Sequence, residues 1–293
     1  MTIRIGLVGA GRRAIEVHAP ALASCPDVEF AGVWARSPAP TEALAGKFGV
    51  PAHRRFDDLL EHCDALAFAV PPAVQAELGG LAAARGKALL LERPIAADIA
   101  GAEQLTLDAE TSGVVTQLAL AWRYAPAIRR FLRTDVPNFG PVGGTGRVIC
   151  GPPDGTPPPS TLAAERGVLL TRGTDLVDLL DAALGPVAGV RAHGDRAGWI
   201  GLMLEHQIGH YSESSLYGGA PSGTDIAEAE VFGPAGALRI DCAEAVGPLT
   251  FERMYQEFAE AVTTGQPHEL DVRRGLHLQR VIEGAETDLV AGT

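Results

Sequence analysis

The stretch IRIGLVGAGRRA, residues 3–14, decides the fold. Its first six residues form an apolar run rich in β-branched side chains, which predicts a buried strand. Gly9 and Gly11 then permit a tight turn, and the N–H groups of the helix that follows can bind an anion. Ala14 takes the third position of the G-x-G-x-x-G pattern, where close packing of helix against strand requires a small side chain. The stretch therefore predicts a cradle for the pyrophosphate of a dinucleotide, and the alternative is an ordinary strand-to-helix turn.

Strands and helices alternate behind this turn up to about residue 120. Such alternation predicts a doubly wound parallel sheet of the Rossmann type with right-handed crossovers. The predicted strands after the first are residues 28–34, 64–70, 87–91 and 114–120. The predicted helices are residues 12–24, 41–48, 56–62, 73–85 and 98–111, the second of them with Thr41 as its N-cap.

The sequence pattern changes after Trp122. Strand-like segments separated by turn signals there predict an open, largely antiparallel sheet. The predicted fold class is α/β, with a dinucleotide-binding Rossmann domain over residues 1–120. An α+β domain for substrate binding and oligomerisation follows over residues 121–293, and its last helices are able to pack back on the first domain. The predicted strands are residues 142–150, 187–193, 199–206, 210–217, 225–232 and 237–242. The predicted helices are residues 126–133, 161–184, 251–263 and 272–290.

Composition and charge narrow the classes of function. The chain has 293 residues, 46% of them hydrophobic, which is enough for two packed domains. A net charge of −12 argues against nucleic acid and anionic membranes as partners, and no apolar run has the length of a membrane span. The four cysteines form no C-x-x-C pair, which is typical of reduced core residues rather than of a metal site. We therefore expect a cytoplasmic protein that acts on a small molecule and binds no metal.

The end of the second predicted strand bears on the choice of cofactor. A domain that binds NAD usually places a carboxylate there to hold the ribose hydroxyls. This chain has Arg36 and Ser37 at that point, and Glu29 lies at the opposite end of the strand. A guanidinium can bind a 2′-phosphate with two hydrogen bonds and stack on adenine. The sequence therefore favours NADP(H), with NAD(H) as second choice, and the alternative for Arg36 is a solvated loop cation.

These features, in this order and spacing, resemble the Gfo/Idh/MocA family of oxidoreductases along nearly the whole chain. The resemblance implies a Rossmann domain followed by a domain whose open sheet often mediates oligomers, so a homodimer or homotetramer is expected. It rests on the glycine turn, His18 with Pro20, the VWARSP stretch at 33–38, Pro71-Pro72, Gly86 with Glu92-Arg93-Pro94, Trp122-Arg123-Tyr124 with Pro126, and residues 232–241 and 258–267. The cofactor-binding residues predicted are Gly9, Gly11, Arg12, Arg13, Ala14, Arg36, Ser37, Val70, Pro71, Pro72, Glu92, Arg93, Trp122 and Arg123.

The chain departs from the family at the positions that usually handle protons. Arg93 stands in place of the lysine of a Glu-Lys-Pro motif, and Thr171 and Asp175 replace the acid and the histidine of D-x-x-x-H. Gln75 replaces a histidine that often follows the proline pair. An arginine cannot donate a proton near neutral pH because its pKa lies above about 12. It can still hold a carboxylate, polarise a carbonyl or contact the nicotinamide amide as a fixed cation.

The helix that carries two of these positions is expected to break at Gly173. Thr174 is then a plausible N-cap and Asp175 is favoured by the helix dipole, and a role of Asp175 in chemistry is the alternative. The predicted catalytic residues are Arg93, Asp175, Tyr124 and His210. His193, His206 and Tyr211 are further candidates for a proton donor.

Three hypotheses about function remain open at this point. The first is an NADPH-dependent reductase of an imine, a conjugated acceptor or a carbonyl compound, which works without the usual Lys/Asp/His set. The second is a non-redox enzyme on the same fold, such as a lyase, cyclase or isomerase. The third is a catalytically inactive protein that binds a nucleotide. Binding of NADPH, and its oxidation by imines, enones or ketones, distinguishes the three.

Overall fold

The computed structural model of the chain describes residues 2–151 and 167–291. These residues form two compact units. The first contains the residues up to Ala121 together with Pro248–His277, and the second contains the rest from Trp122, including the chain after Leu278. A helix from the end of the chain thus belongs to the first unit, so the units are not contiguous in sequence. Within residues 2–151 and 167–291, no helix combines the length and the apolar character needed to cross a membrane.

The sheet of the first unit is parallel and buried on both faces, because the alternating connections place helices on each side. The side chains of Ile5, Leu7, Leu66 and Leu89 are completely buried in it. The strand order is β2-β1-β3-β4-β5. The strands are β1 (Ile3–Val8), β2 (Val28–Trp34), β3 (Ala65–Phe68), β4 (Ala88–Leu91) and β5 (Thr116–Leu118).

The strand order fixes where a ligand can bind in this unit. The order of the strands reverses between β1 and β3, and open α/β sheets bind ligands outside the carboxyl ends of the strands at such a point. The loops that follow Val8 and Phe68 meet there, since the backbone N–H of Ala69 donates to the carbonyl of Val8 over 2.8 Å. The Rossmann arrangement predicted from residues 3–14 is confirmed.

The helices of the first unit agree with the predicted ones apart from their ends. The helical run after Gly11 contains a wide π-helical turn, Ala14–His18, before α1. The second helix begins at Pro38 rather than at Thr41, since proline is favoured in the first turn of a helix. Thr41 is therefore not an N-cap, and its hydroxyl donates to the carbonyl of Ser37 over 2.8 Å. The helices are α1 (Ala19–Ser24), α2 (Pro38–Phe48), α3 (Phe56–His62), α4 (Pro72–Ala84) and α5 (Ile99–Ser112).

The sheet of the second unit is mixed, with strand order β11-β10-β6-β9-β8-β7. Among the described strands of this sheet, only the β6–β9 pair is parallel. The predicted open, largely antiparallel sheet is confirmed. The strands are β6 (Gly143–Cys150), β7 (Val187–Gly194), β8 (Trp199–His206), β9 (Tyr211–Tyr217), β10 (Asp225–Gly233) and β11 (Gly236–Asp241).

One face of this sheet is covered by a helix. Leu176 of that helix lies directly over Gly146, where a side chain on the strand would leave no room for it. The remaining helices are α6 (Ala121–Tyr124), α7 (Pro126–Arg130), α8 (Val136–Phe139), the covering helix α9 (Thr174–Leu184), α10 (Pro248–Thr264) and α11 (Val272–Ala291). A π-helical turn, Phe131–Asp135, joins α7 to α8.

The predicted break at Gly173 is wrong. Gly173 has helical dihedral angles, and the π-helical turn Leu169–Gly173 continues directly into α9. Thr174 is likewise not an N-cap, because its hydroxyl donates back to the carbonyl of Leu170 over 2.9 Å. Gly173 is small enough to let the helix approach Leu216 of β9, which is a packing reason for the glycine. The start of the predicted helix 161–184 lies outside the described residues.

Candidate functional site

The turn after β1 has the backbone that a phosphate cradle requires. Gly9 has φ = +122°, and a side chain on it would collide with the carbonyl oxygen of Ala69. Gly11 has no heavy atom within 4 Å of the place where its Cβ would be, so the space above it is open. Ala14 is completely buried between the helix and the strand. The first glycine is thus needed by the fold, and the second leaves room for a ligand next to the first turn of the helix.

A cleft of about 250 Å³ lies at this turn. Its walls come from the ends of three neighbouring strands, β2, β1 and β3, and from the loops that follow them. Trp34 is held in the wall by the ring of Phe56, with the two ring centroids 5.3 Å apart. An open cradle beside a helix start, at the reversal of strand order, fits a dinucleotide pyrophosphate. The lining residues are Gly9, Ala10, Gly11, Trp34, Ala35, Arg36, Ser37, Pro40, Ala69, Val70, Pro71 and Val74.

The end of the cleft next to β2 is cationic. Arg36 is exposed there, and it forms no ion pair with any residue in 2–151 or 167–291. No Asp or Glu is among the residues that line the cleft. Glu29 sits near the start of β2, opposite Arg4 of β1, and so at the other edge of the sheet. This end of the cleft therefore carries a positive charge that no acidic lining residue balances.

A cluster of polar side chains, here called the buried cluster, lies behind the glycine turn. His18 and Tyr255 are completely buried in it, Glu92 is nearly buried, and Arg13 is partly exposed. Glu92 Oε1 accepts hydrogen bonds from Arg13 Nε over 2.5 Å and from His18 Nε2 over 2.9 Å. The other ring nitrogen of His18 is 2.7 Å from the hydroxyl of Tyr255 on α10. The Arg13 guanidinium also lies 5.6 Å from the centre of the Phe251 ring. The cluster ties the first helical run to the end of β4 and to α10.

The protonation states in this cluster follow from its surroundings. Burial alone would raise the pKa of Glu92, but the Arg13 guanidinium and the His18 hydrogen bond hold it well below its usual value. Burial and the nearby charge of Glu92 hold the pKa of Tyr255 well above its usual value. Because Glu92 is ionised, its carboxylate accepts the hydrogen bond from His18 Nε2–H, and the Tyr255 hydroxyl is the partner of His18 Nδ1.

Arg93 follows Glu92 in a short segment at the carboxyl end of β4. The Arg93–Pro94 peptide bond is cis. Gln75, in the first turn of α4, is completely buried and bonds to this segment. Arg93 is half-buried, and its charge is one of those that lower the pKa of Glu92. The chain thus places a cation, rather than a titratable amine, near the carboxylate of Glu92.

Three of the predicted residues belong to the second unit and are described within it. Trp122 and Tyr124 are buried in α6. Arg123 is nearly buried and bonds through Nη1 to both carboxylate oxygens of Asp178, each at 3.2 Å. This pair joins α6 to α9. The resemblance to the family placed these residues in the cofactor and catalytic sets, and they stay predictions.

Thr171 lies in the π-helical turn before α9 and Asp175 lies in α9 itself. These two altered positions differ in what they contact. Thr171 bonds to the backbone of its own helix, with its hydroxyl 3.2 Å from the carbonyl of Gly167. Asp175 is buried in the first turn of α9. Burial, together with the charges of Asp241 and Asp175, raises the pKa of the Cys242 thiol to about 12. Since the helix is continuous, Thr171 and Asp175 share one helix face, as the acid and histidine of D-x-x-x-H would.

The candidate proton donors of the second unit do not form one group. His206 is buried on β8, with Nδ1 2.6 Å from the carbonyl of Gly185 and Nε2 2.9 Å from the Ser212 hydroxyl. Tyr211 is on the exposed face of the sheet, and His193 is exposed on β7. His210 is half-buried in the loop before β9. His206 and Tyr211 therefore lie on opposite faces of the sheet, because alternate residues of paired strands point to opposite faces.

Two residues of the site region were missed as contributors from the sequence. Tyr255 completes the buried cluster from a helix 237 positions after His18. Gln75 was noted only as a missing histidine, whereas its amide bonds to the segment that carries Arg93. The signal for Gln75 was its position in the first turn after Pro71-Pro72. No spacing in the sequence could have indicated Tyr255.

The remaining titratable groups give no sign of a metal centre. In residues 2–151 and 167–291, no three or more His, Cys, Asp or Glu side chains are close enough together to hold a metal ion. Cys25, Cys63, Cys150 and Cys242 are all free thiols. Burial raises the pKa of Cys63 to about 11, although Lys87 opposes it. Cys25, Cys63 and Cys242 are buried in the cores of their units, and Cys150 is partly exposed.

Comparison with curated proteins finds partial relatives. The chain is 34% identical over 116 residues to dTDP-3,4-didehydro-2,6-dideoxy-alpha-D-glucose 3-reductase of Streptomyces antibioticus, an alignment that covers 39% of this chain and 35% of that protein. It is 31% identical over 166 residues to the rhizopine catabolism protein MocA of Rhizobium meliloti, covering 56% and 51% of the two chains. The chain thus spans about half or less of the length of these relatives.

Solved structures and a family profile extend the comparison. The crystal structure of GenD2 from gentamicin A biosynthesis, in complex with NAD, matches 100% of this chain and 95% of that chain. The TM-score is 0.86 at 20% identity, which establishes a common fold. Residues 3–120 match the GFO_IDH_MocA profile, described as the oxidoreductase family with an NAD-binding Rossmann fold. The similarity to this oxidoreductase family is thus found over residues 3–120 of the 293 residues.

Proposed function

We propose that the chain is an NADP(H)-dependent oxidoreductase, in the cytoplasm, that reduces a small organic substrate without the family's usual Lys/Asp/His set. The observation that carries the cofactor preference is the cationic end of the cleft. Arg36 and Ser37 line the cleft where a carboxylate would hold the ribose hydroxyls of NAD. A guanidinium without a carboxylate partner there supports binding of a 2′-phosphate.

The residues of the cleft have separate tasks in this proposal. The turn from Gly9 to Gly11 holds the pyrophosphate through backbone N–H groups. Arg36 and Ser37 bind the 2′-phosphate, while Val70 and Pro71 form the wall at the end of β3. Arg12, Ala14 and Pro72 stand at the helix starts beside the cradle, and Arg13 and Glu92 lie behind it in the buried cluster. Bound in this way, the cofactor supplies a hydride from C4 of its nicotinamide ring.

The substrate class follows from what Arg93 can and cannot do. A guanidinium stays charged, so it orients a substrate or stabilises developing negative charge, but does not supply a proton. An iminium carbon accepts hydride and becomes a neutral amine, with no proton needed from the protein. A conjugated acceptor can take its proton from water after hydride addition. An imine in its cationic iminium form or a conjugated compound is therefore the proposed substrate, with a carbonyl compound requiring a separate donor such as Tyr124, Asp175 or His210.

An Arg36→Ala variant tests the cofactor preference. Loss of a charge-assisted contact to phosphate, about 1.5–3 kcal/mol, is expected to weaken NADPH binding roughly 10- to 100-fold. Binding of NADH, which has no 2′-phosphate, is expected to change by less than about twofold. The measurement is fluorescence titration of each variant with each nucleotide. Equal losses of affinity for NADPH and NADH would show that Arg36 does not bind the 2′-phosphate.

An Arg93→Lys variant tests the absence of a proton donor. Lysine lacks the planar fork of donors, so we expect reduction of the protein's own substrate to stay equal or fall. Steady-state oxidation of NADPH against panels of imines, enones and ketones gives the rates for wild type and variant. A large gain in oxidation of ordinary alcohols in the variant would contradict the proposal, since it would indicate a dehydrogenase that had lost only its lysine.

The open face of the second unit's sheet supports a homodimer or homotetramer. Large apolar side chains are exposed there on neighbouring strands, among them Trp199 and Met203 of β8 and Tyr211 of β9. A patch of this kind on a sheet is typical of an interaction surface. Sedimentation equilibrium is expected to give a dimer or tetramer for wild type and a smaller species for a Trp199→Glu, Met203→Glu variant. A wild-type monomer at micromolar concentration would contradict this.

A further inference from the structure

Gln75 is completely buried, yet all the polar atoms of its side chain are used. Its amide nitrogen lies 2.8 Å from the carbonyl oxygen of Glu92, 3.3 Å from that of Pro94 and 3.1 Å from that of Ile95. Its amide oxygen accepts the backbone N–H of Glu92 over 2.8 Å. One side chain thus satisfies four backbone groups of a four-residue segment. Buried backbone groups need such partners, and loss of one leaves several unsatisfied at once.

The segment held by Gln75 is the one that carries Arg93. It follows β4 directly, and its backbone groups form hydrogen bonds with the side chain of Gln75. The side chain of Glu92 is held as well, because its carboxylate accepts hydrogen bonds from Arg13 and His18. The backbone on both sides of Arg93 is therefore held, through Glu92 before it and through Pro94 and Ile95 after it.

The helix that carries Gln75 links this segment to the cleft. Gln75 lies in the first turn of α4, and its own backbone N–H donates to the carbonyl of Pro71 over 2.9 Å. Pro71 and Val74 both line the cleft. A change at position 75 can therefore move the segment of Arg93 relative to the cleft while the glycine turn of β1 stays in place.

We propose that Gln75 is a positioning residue that fixes the backbone of Glu92 to Ile95, so that the Arg93 guanidinium is held against the nicotinamide half of the bound dinucleotide. This rests on the proposed function, in which Arg93 is a fixed cation of the site. The ordinary alternative is that Gln75 only stabilises the fold. The two explanations predict different binding results. A positioning residue affects the binding of the nicotinamide half of the dinucleotide alone, and it does so only while Arg93 is present.

The first experiment uses a Gln75→Met variant, which keeps the length of the side chain and removes all four hydrogen bonds. NADPH and 2′,5′-adenosine bisphosphate, which lacks the nicotinamide half, are the two probes. We expect NADPH to bind about tenfold more weakly, as loss of positioned hydrogen bonds to a charged group would cause, and the bisphosphate to bind unchanged. A Gln75→His variant, which restores one ring N–H donor, is expected to lie between wild type and Gln75→Met.

The second experiment repeats both titrations in an Arg93→Ala background. If Gln75 acts through Arg93, adding Gln75→Met there is expected to change NADPH affinity by less than about twofold, because contacts that act as a unit are not additive. A full tenfold loss in this background would overturn the proposal, as would equal losses for NADPH and the bisphosphate. Should Gln75→Met fail to fold, the Gln75→His variant answers the same two questions.

Hydrogen exchange separates this proposal from the proposed function. In the protein without nucleotide, the Glu92 amide is expected to exchange at least about tenfold faster in Gln75→Met, while the amides of β2 stay unchanged. If wild type binds neither probe, the proposed function is overturned, and the exchange result still decides whether Gln75 holds the segment. An unchanged exchange rate at the Glu92 amide would overturn the claim that Gln75 holds the segment.

Discussion

Replacing Gly9 with alanine is expected to cost the fold roughly 2–4 kcal/mol and to abolish NADPH binding. Gly9 has φ = +122°, which other residues rarely adopt, and a Cβ there would collide with the carbonyl oxygen of Ala69. Relief of that collision has to separate the ends of β1 and β3, which form the cleft. Urea unfolding and fluorescence titration with NADPH measure the two effects.

Gly11→Ala is the matched control for this prediction. Its Cβ would meet no heavy atom within 4 Å, so we expect a change in unfolding free energy of less than about 0.5 kcal/mol. The same methyl group would project into the cradle and weaken NADPH binding by at least about tenfold, since a pyrophosphate needs close approach of the backbone there. A Gly11→Ala protein that binds NADPH normally would show that the turn is structural only.

Replacing Glu92 with glutamine is expected to lower the free energy of unfolding at pH 7 by about 3 kcal/mol. The carboxylate accepts hydrogen bonds from Arg13 and His18 in a nearly buried site, and the neutral amide cannot balance the Arg13 charge. Urea unfolding at pH 7 measures the loss. Glu16→Gln is the control, because the exposed Arg12–Glu16 pair is expected to contribute less than about 1 kcal/mol.

The pH dependence of the Glu92 effect has a definite sign. The folded protein holds the pKa of Glu92 below its usual value, so its stabilisation is complete above the unfolded value of about 4.3 and is lost as the pH falls below it. The difference between wild type and Glu92→Gln is therefore expected to shrink from pH 5 toward pH 3. A difference that stays constant over this range would mean that the charge of Glu92 does not stabilise the fold.

Much of the fold could be predicted because the sequence pattern is local and periodic. Every predicted strand exists among the described residues, since short apolar runs bounded by glycine and proline leave few alternatives. The errors came where two local rules compete. The second helix is predicted to begin with Thr41 as its N-cap, yet it begins at Pro38. Gly173 was taken as a helix breaker, whereas the helix keeps it because Leu216 lies where a side chain would be.

Only those parts of the candidate site that a single loop supplies could be predicted from the sequence. The glycine turn and the Arg36-Ser37 pair each follow a strand directly, so strand ends located them. The buried cluster could not be found in this way, because Tyr255 reaches His18 from a helix far along the chain. The face on which His206 lies depends on strand register, which also decided that it does not meet Tyr211.

The central claim is that the glycine turn and Arg36 together bind a dinucleotide with a 2′-phosphate. Side-by-side calorimetric titrations of the wild-type chain with NADPH and with NADH test it most directly. The account predicts that NADPH binds at least about tenfold more tightly, as one charge-assisted phosphate contact would provide. NADH binding as tightly as NADPH, or no binding of either nucleotide, would contradict it.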